Sequence, residues 1–261
     1  MSRLTDLAAI RAILDTDRGW SVYPLGDLAV QRRPHCTWLY SCGTDPGLVL
    51  LYREFATPIV FALGRPDRVQ PLLEEASDEK ELYLHLRPEI VDLLRPGYRI
   101  EDEVDMWRMV LDPAQFKDAG SANAVCLGPG HLEALEQLYL DGRSAGETPH
   151  FFFPSMIADG AFFGIWEGGA LVAAGGTHLV EPGEGVAALG NIYTRRDRRG
   201  RGLATQITQA ITAELLRRQV RTIALNVSQS NHAAIRVYER LGFRRHGAYK
   251  EALARKAPAA P

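Results

Sequence analysis

The chain has 261 residues, 46% of them hydrophobic and 24% charged, a composition that fits a soluble globular protein of one large domain or two ordinary ones. Lys plus Arg number 30 against 32 Asp plus Glu, and a net charge of -2 excludes a global attraction to nucleic acid or to an anionic membrane surface. Three cysteines, Cys36, Cys42 and Cys126, are odd in number and lack metal-ligand spacing, which argues against a disulfide framework. They are expected to be small buried hydrophobes in a reducing cytosol. The first twenty residues carry charges throughout and no later stretch reaches membrane-spanning length, so the expectation is a cytoplasmic protein with no membrane segment and no metal.

In chain order, Leu4, Leu7, Ile10, Ala12 and Ile13 share one helical stripe, and Gly19 follows as a stop. Strand-like runs come next, "CTWLYSC", "GLVLLYREF" and "TPIVFALG", then helical "RVQPLLEEA", then "ELYLHL" and "DMWRMVL". Trp20, Trp38 and Trp107 read as core residues of this part. From Asp112 to Ala124, "DPAQFKDAGSANA" is the least periodic connection, so a boundary is expected there. It separates a smaller N-terminal α+β domain, 1–118, from a second domain, 122–261.

The second domain reads as strand "AVCL", helix "PGHLEALEQLYLDG", a helix around "FPSMIADG", and strands "AFFGIWEGG", "ALVAAGGTHLV" and "VAALGNIYT". A loop "RRDRRGRGLAT" then feeds a helix from Gly202 to Arg218, followed by strand "TIALNVSQS", helix "HAAIRVYERLG" and a last strand near "FRRHGAYKEA". The whole is α+β, and the tail "RKAPAAP" is expected to fray. No short repeat is visible, although each half accommodates a mixed sheet of similar design.

In the helix after the loop, Leu203, Ile207, Ile211 and Leu215 recur every four positions, so the loop ends at a helix N-terminus, where unpaired N–H groups and the macrodipole receive anions. Gly200 and Gly202 let a phosphate approach the backbone. Arg195, Arg196, Arg198, Arg199 and Arg201 add attraction, while Asp197 has no role beyond local charge balance. There is no GK[ST] for a P-loop, and Thr205 stands where a dinucleotide fingerprint needs a third Gly. By itself such a run is a solvated arginine cluster or a nucleic-acid patch; two glycines at a helix mouth argue for one phosphate compound.

"RGRGLA" has the form R-x-x-G-x-A and "NHAAIRVYERLGF" the form N-x-x-A-x-x-x-Y-x-x-x-G-F. Together they resemble the signatures of the GNAT superfamily of acyl-CoA-dependent N-acyltransferases, over about Asn123 to Glu251. Family members usually carry Pro where Arg196 stands. The resemblance implies a mixed, mostly antiparallel twisted sheet flanked by helices, with acetyl-CoA as co-substrate. It implies that the backbone from Arg199 through Gly200, Arg201, Gly202, Leu203 and Ala204 to Thr205 holds the pyrophosphate. It further implies that Ile192, Tyr193 and Thr194 pair with the pantetheine arm, that Asn231 contacts the cofactor, and that Tyr238 faces the thioester sulfur as general acid. Helix geometry puts Asn231 and Tyr238, seven residues apart, on one face; in isolation they read equally as a helix cap and a core tyrosine.

Where many relatives place a strand glutamate, "VAALGNIYT" has no carboxylate, leaving His178, Glu181, Glu184 and His150 as candidate bases. The acceptor pocket is expected around "RSAGETPHFFFPSM", where Phe151, Phe152 and Phe153 cannot all share one face and some must be core. The first domain carries neither motif; a degenerate GNAT-like unit in a supporting or substrate-lid role is the expectation. The function expected is N-acetylation of a primary amine on a small or amino-acid-like acceptor, with no nucleic-acid partner and with a homodimer left open. The competing reading is a catalytically silent, CoA-binding regulatory module.

Overall fold

The computed structural model describes residues 2–257 apart from 77, 119, 122 and 148–150. Two compact units emerge: 1–108 with 228–230 and 245–261, and 109–227 with 231–244.

The first unit begins with β1 (Ser2–Arg3), α1 (Leu7–Leu14) and α2 (Val22–Gly26). The first helix starts later than its apolar stripe suggests, because the Asp6 carboxylate caps it by accepting from the Ala8 and Ala9 amides. An antiparallel run β2 (Cys36–Tyr40), β3 (Leu48–Tyr52), β4 (Ile59–Leu63) follows. Helix α3 (Pro66–Glu75) then crosses to β5 (Glu81–Leu86), parallel to β4. Next come α4 (Pro88–Leu94), which the sequence reading omitted, and β6 (Tyr98–Leu111), twice as long as "DMWRMVL". Alternation along β5 sends Leu82, Leu84 and Leu86 into an apolar core with Val60, Val69 and Ile90.

The second unit repeats that element order. β7 (Val125–Cys126) leads to α5 (Leu132–Leu140) and α6 (Ser155–Asp159), then β8 (Phe163–Glu167), β9 (Ala170–Glu181) and β10 (Val186–Thr194) form an antiparallel run. Helix α7 (Leu203–Arg217) crosses to β11 (Thr222–Ser228), parallel to β10, and α8 (His232–Arg240) and β12 (Phe243–Lys256) complete the order. This is the mixed, mostly antiparallel, helix-flanked α+β sheet that was expected. Leu203, Ile207, Ile211 and Leu215 are buried, as their spacing required. Tyr139, Phe152, Phe162 and Tyr193 gather in a core that α5 lays on the sheet.

The end of β12, Lys250 to Arg255, pairs with β5 and so belongs to the first unit. The cysteines depart from expectation: Cys42 and Cys126 are exposed and Cys36 is half-buried. Cys42 lies in the loop after β2, and Cys126 on a two-residue strand with both residues exposed. Of the three tryptophans read as core, Trp20 and Trp38 are buried and Trp107 half-buried. No helix among the described residues is long and apolar enough to cross a membrane, and no metal-ligating cluster forms among them.

Candidate functional site

Strand β10 carries the site. Its parallel ladder with β11 runs from Val186 opposite Thr222 to Leu189 opposite Leu225 and ends there, while β10 continues for the five residues Gly190–Thr194. Their backbone groups on that side form an open strand edge. On the other side the pairing with β9 shifts between Gly190 and Tyr193, and Asn191 adopts φ 56, the left-handed region that Asn tolerates better than most residues. Two contacts hold this bulge: the Tyr139 hydroxyl donates to the Asn191 carbonyl at 2.8 Å, and the Asn191 amide nitrogen donates to Met156 Sδ at 3.5 Å.

The strand runs straight into the arginine loop. Gly200 and Gly202 have φ 78 and 77, and a Cβ built on either meets nothing within 4 Å, so the backbone there is open to a bulky group. No side chain caps α7, whose first turn therefore keeps its N–H groups for a ligand. The first unit supplies a contrast at the same point of its order. There the β4–α3 turn is closed, because a Cβ on Gly64 would meet Gly47 Cα at 2.9 Å and one on Gly47 would meet the Arg68 carbonyl at 2.6 Å.

Few of the arginines are idle positive charge. Asp197 accepts from Arg195 at 2.7 Å and from Arg198 at 2.7 Å; Glu167 accepts from Arg198 at 2.9 Å and lies 3.6 Å from Arg201. Arg199 donates to Glu147 at 2.5 Å, and its guanidinium carbon lies 5.6 Å from the Tyr193 ring centre. Asp197 thus acquires a role the sequence did not show: it fixes two arginine forks and shapes the loop.

Asn231 caps α8, its side-chain oxygen accepting from the Ala234 amide at 3.1 Å. Tyr238 lies on the buried face of that helix with Ile235, edge-on to Phe243, and burial pushes its phenol up to about 12. His178 occupies a shift in the β9–β10 pairing, and its imidazole covers Gly190 so closely that a Cβ there would collide with the ring. The structure therefore brings His178 to the point where the ladder opens. Glu181 does not come there. It pairs with Val186 at the opposite end of β10 and accepts from the Gly183 amide, because a hairpin returns the chain before the strand begins. Glu184 lies in the same hairpin. His150 falls outside the described residues. The phenylalanines divide, Phe152 packing 5.3 Å from Tyr139 while Phe153 is exposed.

Sequence reasoning missed the residues that aim β10. Asp141 accepts from the Tyr193 hydroxyl and from the Arg196 amide, each at 2.9 Å, and Gly142 lets the Tyr193 ring approach, since a Cβ would lie 3.0 Å from it. Tyr139, Asp141 and Gly142 sit together in "LYLDG", which reads only as an amphipathic helix with a stop. Thr194 Oγ1 is buried and meets no hydrogen-bond partner among the described residues.

Residues 132–243 match the acetyltransferase (GNAT) family model. A mycothiol acetyltransferase from Geodermatophilus obscurus is 38% identical over 89 residues, which is 33% of this chain and only 29% of that protein. A GNAT-family structure from Novosphingobium aromaticivorans covers 91% of this chain and 97% of its own, with TM-score 0.60 at 23% identity. A tandem GNAT protein from the clavulanic acid biosynthesis pathway covers 86% and 84%, with TM-score 0.55 at 17% identity. At these identities the structural likeness concerns the fold. Residues 132–243, which carry the strand, loop and two helices just described, are the part of this chain that is similar to the GNAT acetyltransferase family.

Proposed function

We propose that the second unit binds acetyl-CoA and transfers its acetyl group directly to a primary amine of a small or amino-acid-like acceptor. The observation that carries this reading is the end of the β10–β11 ladder at Leu189, followed by an open edge and then by a glycine loop with free space at both left-handed positions. An amide-bearing pantetheine arm fits the edge of Ile192, Tyr193 and Thr194 as an added strand. The pyrophosphate fits the amides from Arg199 to Thr205 at the uncapped helix mouth. Asn231 keeps its side-chain nitrogen for the cofactor while its oxygen serves as cap.

In the transfer, the C–N bond to the amine forms as the C–S bond breaks. A backbone N–H of Ile192 or Tyr193 meets the developing oxyanion. A phenol pushed up to about 12 holds its proton more tightly than an ordinary thiol, so Tyr238 assists chiefly by donating a hydrogen bond to the departing sulfur. His178, at the mouth of the opening, is the candidate to take the proton from the amine. The repeated element order supports a GNAT-like first unit, and its closed turn supports a supporting role there. The reading includes a cytoplasmic enzyme with no metal or nucleic-acid partner. A silent CoA-binding module is the second reading, favoured by the lack of any carboxylate on β10.

The two separate by experiment. Acetyl-CoA at a hundred times its dissociation constant is expected to stabilise the protein by about 2.7 kcal/mol, with no shift from ATP or NAD; no shift with acetyl-CoA removes both readings. Thiol release with an amine panel supports transfer, and its absence with every amine favours the module.

A further inference from the structure

Asn191 stands at the start of the open β10 edge, and the bulge alone does not account for its side chain. At φ 56 a glycine would serve the backbone without cost, so the bend of the strand does not itself require an amide there. The residue is 7% exposed, yet its amide is little used. Among the described residues its nitrogen donates to Met156 Sδ at 3.5 Å, and a thioether is a weak acceptor. Its Oδ1 accepts from none of them. The backbone carbonyl, by contrast, is held by the Tyr139 hydroxyl at 2.8 Å, so the residue is fixed in place with its side-chain oxygen unspent. A buried amide oxygen without a donor is costly, and a ligand N–H supplied to it removes that cost.

The order of the cofactor site along the chain decides what reaches that oxygen. The loop read as the pyrophosphate site follows Thr194, so an arm laid along the edge from Thr194 to Ile192 brings its thioester end to the Asn191 side. His178, the candidate base, covers Gly190, the residue immediately before Asn191. A base and an unspent amide oxygen thus come from adjacent points of one strand opening, at the end where the reacting bond belongs.

Resting on the transfer reading above, we infer that Asn191 positions the acceptor amine, its Oδ1 accepting one N–H while His178 faces the other. A neutral primary amine has two N–H bonds and one lone pair. With the two N–H bonds so engaged, the lone pair is left for the thioester carbon. As the C–N bond forms and the C–S bond breaks, the proton facing His178 departs to it, and the N–H on Asn191 stays in the product amide. A neutral secondary amine has a single N–H, so it either puts carbon against the Asn191 oxygen or loses the base. Asn191 thereby selects primary over secondary amines.

The test measures thiol release by the full chain with benzylamine, phenethylamine, putrescine and alanine amide, each beside its N-methyl counterpart, and acetyl-CoA affinity by calorimetry. The unaltered chain should prefer the primary amine by about 10²-fold in kcat/KM. Asn191→Gly suits φ 56, removes the oxygen and leaves room for a methyl group. It should raise KM for the primary amine about tenfold and cut the preference to about tenfold or less, with acetyl-CoA affinity within about twofold of the unaltered value. Asn191→Asp tolerates the same φ and keeps an oxygen acceptor, so the preference should persist. A preference undiminished in Asn191→Gly overturns the inference and leaves the transfer reading standing. So does acetyl-CoA affinity that falls as far as KM rises, since Asn191 would then only shape the strand. If Asn191→Gly fails to fold, loss of the preference in Asn191→Asp overturns it instead. No thiol release by the unaltered chain with any of these amines, acetyl-CoA still binding, removes the transfer reading and this inference with it.

Discussion

Tyr238 shows how one residue serves packing and chemistry together. Its ring is 9% exposed against Phe243, and the same burial that fixes the ring keeps the phenol protonated far above neutral pH. Tyr238→Phe keeps the packing and removes the donor, so kcat should fall by about 10²-fold with little change in Tm or in KM for acetyl-CoA; unchanged turnover would remove the hydroxyl from the mechanism. Asp27 carries the opposite kind of information. Burial that Arg32 only partly offsets pushes its carboxyl from 3.8 up to about 7. A raised pKa in the folded state means that stability is fully present below 3.8 and is lost as pH rises through about 7. Asp27→Asn should therefore gain stability over the unaltered protein as pH rises through that window, with the gain levelling off above it. Denaturant midpoints measured across the window check the sign, and a gain that shrinks with rising pH would contradict it.

At the scale of elements, the start of α7 and the end of α5 define the site by different means. The loop before α7 was legible, because two glycines followed by an apolar repeat of four state a helix mouth in local sequence. Gly202 sits at φ 77, where an L side chain costs about 1–2 kcal/mol, and any side chain there enters the space left for a ligand. Gly202→Val should lower Tm by several degrees and weaken acetyl-CoA by about tenfold or more in calorimetry; unaltered affinity would place the anion elsewhere. The clamp that α5 puts on β10 was not legible. Tyr139, Asp141 and Gly142 act on Asn191, Tyr193 and Arg196 some fifty positions away, and nothing local distinguishes them from ordinary helix-end residues. His178 was legible only as one candidate among four; the pairing shift that turns it over Gly190 distinguishes it from Glu181 and Glu184.

At the scale of the whole molecule, the chain traces one order of elements twice, and its final strand returns to the first unit. Residues Lys250 to Arg255 pair with β5, Ala252 and Ala254 enter the apolar core, and Tyr249 is fully buried. A chain ending at Arg244 should therefore lose hydrogen-exchange protection along residues 81–86 first, and with it much of the first unit's stability. Protection there equal to that of the full chain would show that β12 is dispensable.

The sequence alone determined what is local: helix stripes, strand alternation, the glycine loop and the spacing that puts Asn231 and Tyr238 on one face. Periodicity and backbone freedom are properties of neighbouring residues, so they can be read without the fold. Only the tertiary structure decided where the β10–β11 ladder stops, which carboxylates claim the arginines, that the first unit's corresponding turn is closed, and that Arg108 is buried among the rings of Trp20, Tyr23 and Tyr249. Those outcomes depend on groups far apart in the chain competing for the same buried charges and hydrogen bonds, and that competition is resolved only when the chain has folded.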